Sequence, residues 1–496
     1  MRPGPGPGEA GPAKPGRVSI GAAVRWWAQT DPAAVSVRRG GRSLTRAQLD
    51  TRSEALATAW RAGGLQVDDL VAVELPDGLD AVVAYVAAWK AGATPMPLSP
   101  ALASADRAAV LDLARPALVV SAPLTSPRPP AGPHRTDVPG PPLPDLAAAS
   151  WKAPTSSGST GRPKVVRASA SAHVDPHSPI APFVPQHAVQ LVAGPLWHAA
   201  PFVYAMRGLM TGHEVVLMPG FDAGRWLRSV AEHRITWGVL VPSMMLAIWR
   251  HPARTGTDVS SLQAVLHLGA RCAPWLKRAW IDWLGPARVH ELYAGTESQG
   301  LAFTDGSDWL AHPGTVGKPV SGSRFRVVRP DLSDCAPGEV GEVLMRRERP
   351  TYSYVGADMD VRQGWHTLGD SGWLDAQGFL HIGDRLVDLI SSRGSSVVPA
   401  DVEAVLEEHP AVRSAVVVGL PDPELGQRVH AVVDAPRGIR IEELARWCDQ
   451  RLDPVQRPRS WAFADAELRS ETGKVRRSRW RTGAAREEVS CDDYLQ

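Results

Sequence analysis

Residues 154–166, PTSSGSTGRPKVV, set a run of Ser, Thr and Gly in front of Pro163 and Lys164. Small, flexible residues let successive backbone N–H groups turn inward and make a concave anion site. The hydroxyls add donors and Lys164 adds a charge, so polyphosphate is the expected guest; the alternative is a mobile surface loop. The P-loop NTPase signature does not fit, because it needs four residues between its glycines and Ser or Thr after the Lys. Gly158 and Gly161 are closer than that, and Val165 follows Lys164. KVV reads as a β-branched strand rather than the start of a helix, so the loop is expected to join two strands.

Outward from that loop, the chain alternates strand and helix. AAVRWWAQTDPAAVSVRR reads as helix then strand, and SLTRAQLDTRSEALATAWRAGG as a capped helix ending in Gly-Gly. LVAVELP is a strand, and GLDAVVAYVAAWKAGATPMPL a buried helix running into another. Such alternation predicts an α/β fold with much parallel sheet. Residues 122–148 are Pro-rich and read as a connector. Beyond it come FDAGRWLRSVAEHRITWGVLVPSMM (helix, strand), LQAVLHLGA (strand), PWLKRAWIDWL (helix) and RVHELYAGTE (strand into loop). A β-rich stretch covers GSRFRVVRP to HIGD, and from about residue 386 a compact α+β pattern follows. No internal repeat is visible.

Composition narrows the class. A chain of 496 residues is too long for one core, so several domains are expected. Its 44% hydrophobic and 21% charged residues are ordinary for a globular enzyme, and a net charge of +2 gives no general affinity for nucleic acid. Four scattered cysteines without a CxxC pair argue against a disulfide framework or zinc site and suit a reducing cytoplasm. No apolar run is long enough for a membrane helix. Residues 1–17, rich in Pro and Gly, read as a disordered tail. Lysine is scarce, which makes Lys164 and Lys474 conspicuous.

Four further stretches follow the opening loop in order: ELYAGTES (291–298), HTLGDSGWLDAQGFLHIGDR (366–385), RGSSVVPADVE (393–403) and ETGKVRR (471–477). Together the five motifs resemble the adenylate-forming superfamily of acyl- and aryl-CoA synthetases, peptide-synthetase adenylation domains and luciferase. GPLWHAAPF and AVLHLGARCAPWLKRAWIDWLGPARVHELYAGTE are most similar to the acyl-/aryl-CoA ligase branch. The resemblance implies a large N-terminal domain of mixed sheets and packed helices with a β-rich subdomain (18–384), and a small mobile α+β C-terminal domain (385–496). It also implies two half-reactions. A carboxylate attacks the α-phosphate of ATP and releases pyrophosphate; a thiol, usually of CoA, then attacks the acyl carbon and releases AMP.

The same resemblance supplies roles. Thr155, Ser156, Gly158, Ser159, Thr160, Gly161 and Lys164 would hold the β- and γ-phosphates. Tyr293 would stack on adenine, Thr296 would bond the α-phosphate, and Glu297 would ligate Mg²⁺, a hard cation suited to one carboxylate plus phosphate oxygens. Asp370 would hold the ribose hydroxyls, and Arg385 would reach ribose or phosphate. Lys474 would swing onto the α-phosphate and carboxylate in the first transition state. His198 would gate the acyl pocket, with Trp197, Ala294 and Gly295 on its walls and Gly269 and Ala270 shared with the adenine site. A surface cation, a turn-shaping Asp or a buried core His is the plainer alternative at each such position.

Two departures bear on the acceptor. Val387 stands where the family commonly has Asp or Lys, and LISSRGSS lacks the lysine often found after the hinge. Acceptors other than CoA (a carrier protein, an amine, or nitrite activated for diazotisation) stay open, as does a non-catalytic nucleotide-binding homologue. The expected partners are a small acid and CoA or a carrier protein, with no nucleic acid, no membrane insertion and a monomeric or homodimeric state.

Overall fold

A computed structural model describes residues 15–122, 124, 143–156, 164–356, 361–436, 438–464, 466–471, 473–475, 477–483 and 489–490. The phosphate-loop residues Gly158, Ser159, Thr160 and Gly161, most of the N-terminal tail and much of the Pro-rich connector lie outside them. Contacts gather the chain into two units, residues 1–239, 258–263 and 350–359, and residues 240–257, 264–349 and 360–496. The domain boundary expected at residue 385 falls inside the second.

In the first unit, helix Arg46–Ala62 starts where the sequence places it. Thr45 accepts from the Gln48 N–H while the Gln48 side chain accepts from the Thr45 N–H, a reciprocal cap that satisfies two helix-end donors. Helix Leu79–Lys90 is apolar nearly all round, and every residue in it except Asp80 is buried. It packs with helix Ile20–Thr30 and with strands Leu70–Val73 and Val35–Arg39 in one core. Strands Thr94–Pro97, Leu70–Val73 and Leu118–Val120 form one parallel sheet in that order. A second runs parallel through Trp237–Leu240, Val189–Val192, Glu214–Leu217 and Val35–Arg39. Thr155–Ser156 pairs antiparallel with Lys164–Ala168, so the opening loop does join two strands.

In the second unit, strands Ala264–Leu268 and Val289–Ala294 are parallel, and an antiparallel series continues through Leu301–Asp305, Thr315–Pro319, Leu380–Arg385, Trp365–Leu374, Gly341–Arg347 and Ser323–Val328. Its C-terminal portion has its own core, in which Val402, Leu406, Val417, Val433, Leu444 and Trp461 are buried. There helices Pro399–Glu408 and Ile441–Asp449 accompany the hairpin Ser414–Asp422/Gly426–Asp434 and the parallel strand Ser460–Phe463. Helix Pro242–Arg250, with Pro at its first position, was not expected from VPSMM, which reads as the end of a strand. Arg250 donates to the carbonyls of Glu407, His409 and Val412. No helix among the described residues is long and apolar enough to cross a membrane.

Candidate active site

Strand Val289–Ala294 carries Tyr293 to the edge of an open stretch, where residues 293–298 are all half-buried. Its approach is set from beneath. Glu291, two residues earlier and therefore on the same side of the strand, forms a buried ion pair with Lys277 of helix Pro274–Leu284. Burial pushes the Glu291 carboxyl up, but Lys277 and the neighbouring His267 hold it below its usual range. After Ala294 the chain turns. The Ser298 N–H donates to the Gly295 carbonyl at 3.0 Å, and Ser298 takes a left-handed φ of 54°. The Glu297 carboxylate folds over Gly295, where an added Cβ would meet Glu297 Oε2 at 3.0 Å and Leu368 Cδ2 at 3.0 Å. Thr296 sits at the top of that turn.

Strands Trp365–Leu374 and Leu380–Arg385 bring Asp370 opposite Arg385. Tyr293 donates its hydroxyl proton to Asp370 Oδ2 at 2.6 Å, and Arg385 Nε lies 3.9 Å from Asp370 Oδ1. Burial raises the Asp370 carboxyl above its ordinary value; Tyr293, Arg385 and Lys474 pull it down, and Asp384 pushes it up. Burial and the Asp370 charge likewise hold the Tyr293 hydroxyl well above the usual tyrosine value.

Lys474 stands on the loop between Ser460–Phe463 and helix Arg477–Gly483. The Ser470 N–H donates to the Lys474 carbonyl at 2.9 Å, and the Lys474 N–H to Ser470 Oγ at 3.2 Å. Gly473 supplies a left-handed φ of 73°, and a Cβ there would meet Ser243 Oγ at 3.1 Å. Crowding by protein lowers the Lys474 ammonium below the usual lysine value, and the Arg385 cation lowers it further; Glu297 and Asp370 act in the opposite direction. The residue still has an exposed surface, so solvent screens these effects.

Three residues that sequence reading passed over anchor this loop at both ends. Arg477 bridges Asp384 Oδ2 and Glu403 Oε1, each at 2.8 Å. Arg469 donates to Glu407 Oε1 at 2.9 Å and to Glu403 Oε2 at 3.4 Å. Glu403 therefore serves one buried and one half-buried guanidinium group. The RR of ETGKVRR was the visible signal, though it reads first as surface charge.

Gly269 follows strand Ala264–Leu268 with a left-handed φ of 88°, next to a half-buried Ala270. Tyr293, Glu297, Asp370, Arg385 and Lys474 thus share one unit and one electrostatic environment, with Gly269, Ala270, Ala294, Gly295 and Thr296 in the same unit, while Thr155, Ser156, Lys164, Trp197 and His198 lie in the other. There Ser156 pairs in register with Lys164, whose ammonium lies 4.7 Å from the Tyr354 ring centroid. His198 occupies the N-cap position of helix Ala199–Met210, beside Trp197 with ring centroids 6.3 Å apart. No cluster of three or more metal-ligating side chains occurs among the described residues. A cation at Glu297 would therefore take most of its ligands from phosphate and water, as magnesium does.

A mixed α/β fold ending in a separate α+β body, with Tyr, Glu, Asp, Arg and Lys converging in one half, defines an adenylate-forming enzyme. Comparison with known proteins agrees. The chain belongs to the family of AMP-binding enzymes, whose model matches residues 24–355, with the C-terminal domain of such enzymes matching residues 401–474. It is 32% identical to feruloyl-CoA synthase from an Amycolatopsis species over 477 residues, 90% of this chain and 95% of that one. It is 28% identical to 2-succinylbenzoate–CoA ligase from Bacillus licheniformis, over 91% of this chain and 97% of the relative. The structure of o-succinylbenzoate CoA synthetase from Bacillus subtilis with its acyl-adenylate intermediate shares the fold at a TM-score of 0.79 and 23% identity, covering 96% and 99% of the two chains.

Proposed function

We propose that this protein is an ATP-dependent acid–thiol ligase that activates a carboxylic acid as its acyl adenylate and transfers the acyl group to CoA. The observation that carries the reading is the convergence of Lys474, Glu297, Asp370 and Arg385 on one electrostatic neighbourhood. In the first step a carboxylate oxygen bonds to the α-phosphorus and the bond to the β-phosphate oxygen breaks, releasing pyrophosphate. Two anions must meet, so the barrier falls when positioned cations offset the charge that builds up at phosphorus. Lys474 supplies that cation at the α-phosphate, with Thr296 donating to a non-bridging oxygen. Asp370 accepts from the ribose hydroxyls, and Arg385 stands beside it. Tyr293, its hydroxyl tied to Asp370, offers a ring face to adenine.

Residues 155–164 hold the β- and γ-phosphates through backbone N–H groups, hydroxyls and Lys164. Glu297 would hold magnesium, which supplies charge neutralisation on the phosphate oxygens when bound. In the second step the CoA sulfur bonds to the acyl carbon, its proton is lost, and AMP leaves. His198 and Trp197 border the entrance to the acyl pocket. Residues 385–496 act as a lid that presents Lys474 for the first step and withdraws it for the second. Free thiols at Cys272, Cys335 and Cys448 suit a reducing, cytoplasmic setting.

The test is acid-dependent exchange of labelled pyrophosphate into ATP over a panel of aryl and acyl acids, repeated with Lys474→Ala. CoA, a carrier protein and a primary amine are then supplied in turn and the products identified by mass. A CoA thioester formed with AMP supports the proposal; exchange without thioester moves the acceptor elsewhere, and no exchange with any acid overturns it.

A further inference from the structure

Helix Pro242–Arg250 meets the C-terminal body at both of its ends. At its start, a Cβ on Gly473 would lie 3.1 Å from Ser243 Oγ and 3.4 Å from Val241 Cγ2, so the loop that carries Lys474 rests against it. At its finish, the Arg250 guanidinium reaches helix Pro399–Glu408. It donates to the Glu407 and Val412 carbonyls, and to that of His409 at 3.2 Å. The last carbonyls of a helix have no partner inside it and carry the negative end of its dipole, so a cation is a fitting cap. Here the cap comes from 157 residues earlier in the chain, across the segment near residue 385 on which the lid would turn.

Two further contacts join the same partners. Arg271 pairs with Asp401 at 2.7 Å, and the Trp275 indole N–H donates to the Ala404 carbonyl at 3.2 Å. Asp401, Ala404 and Glu407 follow at three-residue steps, so the contacts run along one side of helix Pro399–Glu408. The C-terminal body does not need them to keep its shape. It has its own buried core, and its Glu403 and Glu407 carboxylates are held from within by Arg469.

We infer that Arg250 is a positioning residue for adenylate formation: by capping helix Pro399–Glu408 it seats the lid so that Lys474 faces Glu297 and Asp370, and it lets go when the lid turns for thioester formation. This rests on the ligase reading above. Hydrogen bonds to carbonyls suit such a latch, because water replaces each of them once the surfaces part and the net gain per bond is small. Several acting together favour one orientation without locking it.

The experiment measures the two half-reactions separately in the full chain. Arg250→Met keeps an aliphatic stem and removes every donor. It should lower acid-dependent pyrophosphate exchange by roughly tenfold or more, the scale of one hydrogen bond from a charged group. Thioester formation from preformed acyl adenylate and CoA should stay at or above the wild-type rate. Arg250→Lys keeps a cation and should recover part of the exchange. Trp275→Phe, which removes one donor and keeps a ring, takes over the comparison if Arg250→Met melts early. Exchange that is unchanged, or that falls together with thioester formation, overturns the proposal. If no acid supports exchange, or no thioester forms, the ligase reading fails separately. A zero-length carbodiimide crosslink from Lys474 to Glu297 or Asp370 then decides: a lower yield in the variant sustains the seating role of Arg250, and an equal yield ends it.

Discussion

The Tyr293 hydroxyl donates to Asp370 Oδ2 at 2.6 Å, joining a strand of the parallel pair to one of the antiparallel series. The bond leaves Asp370 Oδ1 facing Arg385 and fixes the carboxylate plane before any nucleotide arrives. Tyr293→Phe should therefore keep the fold, cost about 1 kcal/mol in thermal or denaturant melts, and raise the KM for ATP more than it lowers kcat. An unchanged KM would separate the pair from ribose recognition.

Asp370→Asn tests the charge itself. Because burial raises the folded carboxyl above its unfolded value of 3.8, its contribution to stability is present at low pH and lost as pH rises through the folded value. Above that value the ionised group opposes folding, so there the neutral amide should leave Tm equal or higher. ATP and AMP affinity should nevertheless fall by about tenfold, since an amide accepts ribose hydroxyls less strongly than a carboxylate. A Tm difference between variant and wild type that turns against the variant as pH rises would contradict the sign.

Lys474→Ala should reduce pyrophosphate exchange by about 100-fold or more, the usual scale for one positioned electrostatic group. Transfer from preformed acyl adenylate to CoA should change far less. Equal losses in both assays would mean that Lys474 serves the structure rather than the first transition state.

The pH profile gives an independent check on the same residue. The ammonium must be protonated to act, and its value is lowered from 10.5 by burial and by Arg385. Exchange at saturating ATP should therefore fall on the alkaline side with a midpoint below 10.5. Arg385→Gln removes a cation and should move that midpoint upward, and Glu297→Gln removes an anion and should move it downward. Shifts in the reverse order would contradict the proposed neighbourhood.

Arg477→Met leaves Glu403 and Asp384 with one fewer guanidinium in a setting where Arg477 is 7% and Glu403 5% exposed at the side chain. Breaking a buried pair in this way costs roughly 3–5 kcal/mol. Adding Glu403→Gln should recover part of the loss in a double-mutant cycle, because the stranded anion is gone. Additive losses would show that the two side chains do not depend on each other.

Much of the fold is legible in local chemistry. Thr45 and Gln48 announce a helix start, and the apolar run from Ala81 to Trp89 announces burial on all sides. The residues proposed to hold the nucleotide can be named from the sequence because TSSGSTG, YAGTE, TLGD and ETGK are short, local motifs. What is not legible depends on partners far along the chain. Arg477 and Glu403 are separated by 74 residues and Arg469 and Glu403 by 66, so nothing local distinguishes them from surface charge.

The scarcity of lysine, joined to its placement, has a practical consequence. Lys90 is locked against Asp50 and Glu54, Lys277 is buried on Glu291, and the ammonium groups of Lys152, Lys164 and Lys318 lie over aromatic rings. Lys474 combines an exposed surface with a lowered ammonium value, so mildly alkaline conditions free a larger share of its amine as a nucleophile. An activated ester at low stoichiometry should mark Lys474 ahead of those five lysines.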